Sequence, residues 1–344
     1  MTIRCIYCLR TDRKFDGEEH VVSQFLGKFD PDLYLKVVCD TCNSEVISRL
    51  ESAFKEDAME GILSAQYRCR TDSSIRFKND KLTTTFHVDG KPTTMFSNIF
   101  PCLDPATGKI ELIPHVFVKG PNGRNIVLFW KGLLEKGFDK RMNWTGKKNL
   151  TMYFFGDEDI VGKMKQEIRR RGIDFQEDEN LIEKGQHSEE MVFNYQFNAK
   201  VDRDIERFIS KIAFNYFVYC TLQSNLGEYL YDDDFASIRK FVIEGEGKSP
   251  VTISQPGYRT PGTENRPHIA AHFLTFFEAY GRVFVDVSLF GFIRYHVQIS
   301  AYPFKSIPPG MFGKGHVFDV VKHKVLRSDR GEAVGKNDLS LLRH

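Results

Sequence analysis

The sequence predicts an α+β protein, with a zinc-stapled unit at the N-terminus and a larger mixed α+β region behind it. Three observations carry this. Two Cys-x-x-Cys pairs, Cys5/Cys8 and Cys39/Cys42, stand 30 residues apart at the start of the chain. Past about residue 70, strand-like runs mix with stretches whose apolar residues recur at helical period. The 30 Phe and 13 Tyr among 344 residues favour packed β structure. With 41% hydrophobic and 27% charged residues the composition is that of a soluble globular protein, long enough for two or three domains.

Each element has its own local reason. In the N-terminal unit, Val21-Val22 and the apolar run Leu33 to Val38 read as strands. A helix starts near Asn43, because Val46, Ile47, Leu50, Ala53 and Phe54 fall on one helical face. Residues 1–55 are therefore one unit, and residues 56–70, with Met59, Ile62 and Leu63, a linking helix. Residues 71–330 form an α+β region and 331–344 a charged tail, with fraying expected after Lys324. Strands follow at 75–77 and 82–88, with a turn at Asp89-Gly90, then at 110–118 and 126–130 around Gly120-Pro121-Asn122-Gly123, and at 150–155. Asp157 caps a helix that Gly172 stops, and Asp202 caps a long helix with Ile205, Phe208, Ile209, Ile212, Ala213, Tyr216 and Phe217 on its apolar face. Asp232-Asp233-Asp234 precedes another helix over 234–243 and is placed to cap it. The segments 176–190 and 245–266 read as long polar loops, fit to present a recognition surface. Strands near 272–278, 282–289 and 292–299 turn at Tyr280-Gly281 and Phe290-Gly291.

Four thiolates at the spacing of Cys5, Cys8, Cys39 and Cys42 can close a tetrahedral zinc site. Cys69, Cys102 and Cys220 are isolated and read as buried thiols. An odd count of seven, with no apolar leader after Met1, points to a reducing, cytoplasmic setting. No apolar run reaches the ~18–20 residues that span a bilayer, so no membrane role is expected. The net charge of +2 does not announce a nucleic-acid binder. Arg4, Arg10, Arg13, Lys14, Lys28 and Lys36 do cluster near the cysteines, as either a phosphate-facing patch or a solvated surface.

The residues Cys5-x-x-Cys8, Glu19-His20-Val21-Val22, Leu26-Gly27 and Val38-Cys39-x-x-Cys42-Asn43 resemble the HNH endonucleases of the zinc-containing, four-cysteine kind, over about the first 55 residues. The resemblance implies a ββα-metal core in which a hairpin presents an acidic residue and a His and the next helix presents a second metal ligand. It implies that Cys5, Cys8, Cys39 and Cys42 bind structural Zn²⁺. It implies that Glu19 and Asn43 hold one catalytic Mg²⁺ or Mn²⁺ and that His20 is the general base. Glu18 is an alternative ligand to Glu19. The implied activity is metal-dependent hydrolysis of phosphodiester bonds in DNA, in a setting such as bacterial restriction or antiphage defence. A homodimer or a regulatory partner protein fits that setting. Two other functions compete: a non-catalytic zinc module that binds nucleic acid or protein, and an RNA nuclease or toxin with the same site. Where many family members carry Pro after the His, this chain has Ser23. Where many carry Asn before the second Cys pair, it has Asp32, Leu33 and Tyr34.

Neighbouring residues on a regular strand face opposite ways, so Glu19 and His20 can serve one centre only if the strand ends or bulges there. Asp16-Gly17 is placed to cause that. Other clusters have structural readings. His268 and His272 lack the Glu of a zinc-protease helix, and Arg169-Arg170-Arg171 suits a helix C-terminus. Cys220 suits a core, and there is no GxxxxGK[ST] phosphate loop.

Overall fold

A computed structural model of the chain describes residues 3–67, 74–78, 82–88, 91–93, 101–103, 110–112, 114–119, 124–134, 150–177, 193–254, 271–291, 293–300 and 315–328. It is mixed α+β, as expected. It forms two compact units: Met1–Lys55 with Val201–His344, and Glu56–Lys200 inserted between them. The α+β region read over 71–330 thus falls in both units, its part beyond residue 200 with the cysteine-rich N-terminus.

The N-terminal segment opens with a turn that carries Cys5 and Cys8. Strands β1 (Glu19–His20) and β2 (Tyr34–Leu35) then pair antiparallel, Glu19 opposite Leu35 and His20 opposite Tyr34. These strands are shorter than the apolar runs suggest. The reason is competition for backbone groups: the Val37 carbonyl accepts from Ile6 N–H at 3.0 Å, which diverts the chain into the first cysteine turn. Beyond β1 the hairpin keeps one more bond, Val21 N–H to Leu33 O at 2.8 Å. Cys42–Ile47 is a π-helical turn rather than the start of a regular α-helix, and it runs into α1 (Ser48–Asp57). Such turns occur where a helix is made to accommodate a local constraint, and here Cys42 is at its head.

In the inserted unit come α2 (Met59–Gln66), β3 (Ser74–Lys78), β4 (Leu82–Val88), β5 (Lys91–Thr93), β6 (Pro101–Leu103), β7 (Ile110–Leu112), β8 (His115–Lys119), β9 (Arg124–Phe129), α3 (Trp130–Leu133), β10 (Leu150–Phe155), α4 (Glu158–Arg170), β11 (Phe175–Glu177) and β12 (Phe193–Ala199). The main sheet runs β11-β10-β8-β9-β3, with β12-β4-β5 and β6-β7 as smaller sheets. Alternation along the strands gives it two buried faces. Val116, Val118, Leu128, Met152 and Phe154 pack with Met164 and Ile168 of α4. Phe117, Val127 and Tyr153 pack with Met59, Ile62 and Ala65 of α2. Asp157 caps α4 by accepting Ile160 N–H at 2.8 Å, and Gly172, at φ +70°, supplies the left-handed stop.

The chain returns to the first unit through α5 (Arg203–Gln223), capped by Asp202, which accepts the Asp204 and Ile205 N–H groups at 3.1 Å each. Helix α6 (Ala236–Glu244) follows two short 3₁₀ turns. Asp232 makes no side-chain cap. Its carbonyl instead accepts from Arg239, whose guanidinium spans back to it and to the Leu230 carbonyl. Strands β13 (Val251–Ser254), β14 (Ala271–Ala279), β15 (Arg282–Leu289), β16 (Ile293–Gln298), β17 (Gly315–Asp319) and β18 (Lys324–Ser328) form an antiparallel sheet in the order β13-β16-β15-β14-β17-β18. Tyr280 and Gly281 both have positive φ between the paired residues Ala279 and Arg282, the geometry of a two-residue hairpin turn.

β13 and β18 replace part of the expected loop at 245–266 and part of the expected frayed tail, and β11 takes 176–177 from the loop at 176–190. Residues 178–190, 255–266 and 329–344, with Cys69 and His268, lie outside the described residues. His272 is structural: it is buried in β14, where Nδ1 accepts Phe290 N–H and Nε2 faces Leu26 O, both at 3.0 Å. Arg170 and Arg171 pair with Glu167, and burial holds the Cys220 thiol up at about 12. Among the described residues no helix is long and apolar enough to cross a membrane.

The N-terminal segment is sewn into its unit. Phe54 stacks on Phe208 of α5 with ring centroids 4.2 Å apart, and Phe29 packs edge-on against His272 and Phe318. Asp30 extends the sheet past β18, donating to His323 O at 2.8 Å and accepting from Val325 N–H at 3.1 Å.

Candidate metal centre and the hairpin beside it

The four cysteines of the two pairs are brought together. Their sulfurs all lie within 4.8 Å of one another, close enough to hold a metal such as zinc. Cys8 Sγ and Cys39 Sγ are 3.7 Å apart, against about 3.8 Å for the edge of a tetrahedron with 2.3 Å zinc–sulfur bonds. None of the four is in a disulfide. The surrounding backbone is organised for this set. Leu9, at φ +60°, turns the first pair so that its N–H bonds Cys5 O, and Cys39 N–H points at Cys5 Sγ from 3.4 Å. The hydrogen bond from Cys42 draws the Cys5 thiol down to about 5, while burial pushes Cys39 up to about 11. The donor set suits a cation that takes thiolates.

Glu19 and His20 follow the strand rule. The irregularity expected at Asp16-Gly17 does not turn both to one side. His20 is partly exposed and Glu19 is buried. Glu19 Oε1 lies 2.5 Å from Lys211 Nζ and accepts from Asn215 Nδ2 at 2.9 Å. Both partners come from α5. Lys211, itself fully buried, also donates to His20 O at 3.2 Å and Ser23 Oγ at 3.1 Å, and pairs with Glu51 of α1 at 3.3 Å. Ser23 in turn donates to Glu51. Ser23 is thus part of a buried polar cluster. Asn215 accepts the Tyr7 hydroxyl at 2.7 Å and reaches His20 O at 3.4 Å. Burial pushes Glu19 above the usual carboxylate range, with Lys211 offsetting part of the effect. Burial works to lower Lys211, but Glu19 and Glu51 outweigh it and hold the ammonium charged.

On the outer side, His20 Nδ1 is 2.9 Å from Asp32 Oδ2, close enough for an ion pair though not aligned as a straight hydrogen bond. Nε2 is 2.9 Å from the amide nitrogen of Gln24. An amide N–H only donates, so at this contact Nε2 is the acceptor and Gln24 occupies it. Asn43 sits on the first turn after Cys42, with its N–H bonded to Cys39 O at 3.0 Å and its Nδ2 facing Glu18 O at 3.5 Å. Its side-chain carbonyl is thus the end that remains for a ligand. Glu18 is exposed and pairs with Lys36 at 3.4 Å, and the Lys36 ammonium also lies over the Tyr34 ring. Of the neighbouring basic residues, Arg10 pairs with Asp12 and Arg4 bonds Leu9 O, while Arg13, Lys14 and Lys28 are exposed.

The structure therefore joins the four cysteines, and places His20, Glu18 and Asn43 close by on one small hairpin–helix. It turns Glu19 toward α5. Sequence reasoning missed Lys211, Asn215, Tyr7 and Glu51. One signal was there: Lys211 and Asn215 are polar residues four apart in a helix otherwise apolar at that face, a pattern that requires a buried partner. No family model matches the chain, and no curated protein or solved structure matches it either.

Proposed function

We propose that the chain is a metal-dependent endonuclease that hydrolyses phosphodiester bonds, most readily in DNA, on a hairpin–helix held in shape by zinc at Cys5, Cys8, Cys39 and Cys42. The observation that carries the reading is the placement of His20: partly exposed on the hairpin, with Nδ1 set against Asp32 and Nε2 against Gln24. A partly exposed imidazole can serve as a general base toward water. Asp32, in the region where many members of the resembled family carry Asn, lies beside the Nδ1 edge of the ring. Water, giving a proton to the His20 imidazole, would attack phosphorus in line; the P–O3′ bond breaks with its electron pair on the 3′ oxygen, which takes a proton from solvent. The products are a 5′-phosphate and a 3′-hydroxyl.

The oxygen donors on the outer side of the hairpin–helix are Asn43 and Glu18, hard donors that would suit Mg²⁺ or Mn²⁺ rather than a thiophilic ion, while Glu19 is turned toward Lys211. Such a cation, when bound, supplies positive charge to the phosphate in the transition state. The second reading is a zinc-stapled module that binds nucleic acid without cutting it. The engagement of Glu19 with Lys211 favours that one.

The same assay separates them. The purified chain is incubated with plasmid and Mn²⁺ or Mg²⁺, alongside single-stranded DNA and RNA. Cleavage by the parent, lost by roughly 10²-fold or more in His20→Ala with zinc content and circular dichroism unchanged, supports the nuclease. Binding without cleavage under every metal condition supports the module. A His20→Ala protein that cuts like its parent removes His20 as the base.

A further inference from the structure

We infer that the face of the six-stranded sheet turned away from α5 holds a second site, built on Asp286, His296 and Arg294, that takes an amino-bearing nucleobase. The site shares no residue with the hairpin–helix, so it stands whether or not that centre cuts DNA.

Strand alternation gives the sheet two unlike faces. Phe276, Val285, Val287 and Tyr295 are buried on one, where the rings of Tyr216 and Phe217 of α5 meet Phe276. The register puts polar side chains on the other. Thr275 is opposite Asp286, Asp286 is opposite His296, and His296 is opposite Thr252. Directly paired residues of an antiparallel sheet lie on the same face. Hydroxyl, carboxylate, imidazole and hydroxyl therefore form one row across β14, β15, β16 and β13. In the adjacent row Phe277 is opposite Phe284, and their rings stack with centroids 5.5 Å apart.

The polar row is buried at its centre, with His296 1% exposed and Asp286 5%. Arg294 donates to Asp286 Oδ2 through Nε at 3.0 Å and also through Nη2, and His296 Nδ1 lies 2.5 Å from Oδ1. A carboxylate only accepts, so Nδ1 is the donor, and the lone pair of the neutral ring is then on Nε2. Nε2 is buried and has no hydrogen-bond partner. Burying an acceptor without a donor costs free energy, which the N–H of a ligand would restore. Folding does not require such a cluster, because well-packed apolar side chains in its place are often as stable or more so. The Phe277 ring stands at 90° to the imidazole, with centroids 6.4 Å apart. An acceptor beside an aromatic surface suits a flat ring that carries an amino group: the N–H meets Nε2 and the ring lies against Phe277. Adenine, cytosine and guanine have that chemistry, either in a free nucleoside or as bases in a DNA strand.

The test uses the full-length chain with ¹⁵N in its histidine rings, whose nitrogen shifts report the tautomer and hydrogen bonding of each ring. The signals lost in His296→Gln assign His296. Should that variant fail to fold, Thr252→Val makes the assignment through the shift it causes in the ring opposite. Deoxyadenosine, deoxycytidine and deoxyguanosine are titrated separately, followed by a single-stranded oligonucleotide. The dimethylamino analogue of deoxyadenosine serves as the matched ring without an amino donor. The expected result is a saturable shift of His296 Nε2 with at least one of the nucleosides or with the oligonucleotide. Deoxyadenosine, where it binds, should exceed its dimethylamino analogue in affinity by about 10-fold or more. A shift with nucleosides alone assigns the site to a free nucleobase compound, and a shift with the oligonucleotide assigns it to a base in a strand. A His296 signal that no nucleoside and no oligonucleotide moves at millimolar concentration overturns the inference, as does a dimethylamino analogue that binds as tightly as its parent.

Discussion

The N-terminal segment and the inserted unit solve the same problem, holding a small fold together, by opposite means. The inserted unit encloses apolar layers on both faces of its main sheet, with Val116, Val118 and Phe154 under α4 and Phe117, Val127 and Tyr153 under α2. Its ion pairs Asp159–Lys163 and Glu167–Arg170 are on the outside, where such pairs contribute little. The N-terminal segment keeps pairs such as Arg10–Asp12 outside but puts one charge, Glu19, inside against Lys211 of α5. Glu19, Lys211 and Asn215 are buried, next to four thiols. Apolar packing is non-directional and tolerates small shifts. A buried ion cluster stabilises less on balance, but it is costly to break and fixes where each atom sits.

The comparison is broken most severely at the cysteines. Structural zinc contributes on the order of 10 kcal/mol to small metal-dependent folds. Cys42→Ser should therefore lose the metal and unfold the cysteine-rich segment together with the α5 contacts, while the inserted unit keeps its own melting transition. Elemental analysis and a thermal melt with two resolved steps would check this. A variant lacking zinc but with both transitions unchanged would remove the metal from the account.

Acid should act on the two units unequally. The folded His272 pKa is lowered by burial from 6.5 to about 4. The unfolded chain therefore takes the proton first, and stability falls as pH drops through the window from 6.5 to about 4. The full loss is roughly 3 kcal/mol. It should appear in the transition of the unit that holds the six-stranded sheet. His272→Gln, which keeps a donor and an acceptor but does not titrate, should flatten that dependence. Melts at pH 7 and pH 4.5 for both proteins would show it, and an equal acid shift in the two would assign the sensitivity elsewhere.

The smallest effect belongs to the inserted unit. Asp157→Ala removes the cap of α4 and should cost about 1 kcal/mol. Only the transition of residues 56–200 should move. If the other transition moved with it, the two units would not be thermally independent and the contrast drawn here would lose its basis.

Much of the local structure was legible in the sequence, because local signals have local causes. The Asp157 and Asp202 caps and the Tyr280-Gly281 turn depend on a few neighbouring residues, and so does the grouping of the four cysteines. What was hidden depends on distant partners. Leu33 to Val38 reads as a full strand until the Val37 carbonyl is seen to serve Ile6. Asp232 reads as a cap until Arg239 takes its carbonyl. Glu19 reads, by resemblance, as a metal ligand, and in the fold Lys211 approaches it across the core. In each case a competitor far along the chain won a group that the local pattern had already assigned.

The separation between His20 and Lys211, 191 residues, also sets an order of events during synthesis. At about 5–20 residues per second the ribosome needs roughly 10–40 s to make the stretch between them. Through that interval the hairpin, the thiols and Glu19 are outside the ribosome while their helical support has not yet been translated. The cysteines are the earliest means the nascent segment has of keeping its shape, and early metal capture would protect those thiols from oxidation until α5 emerges and closes the core over them.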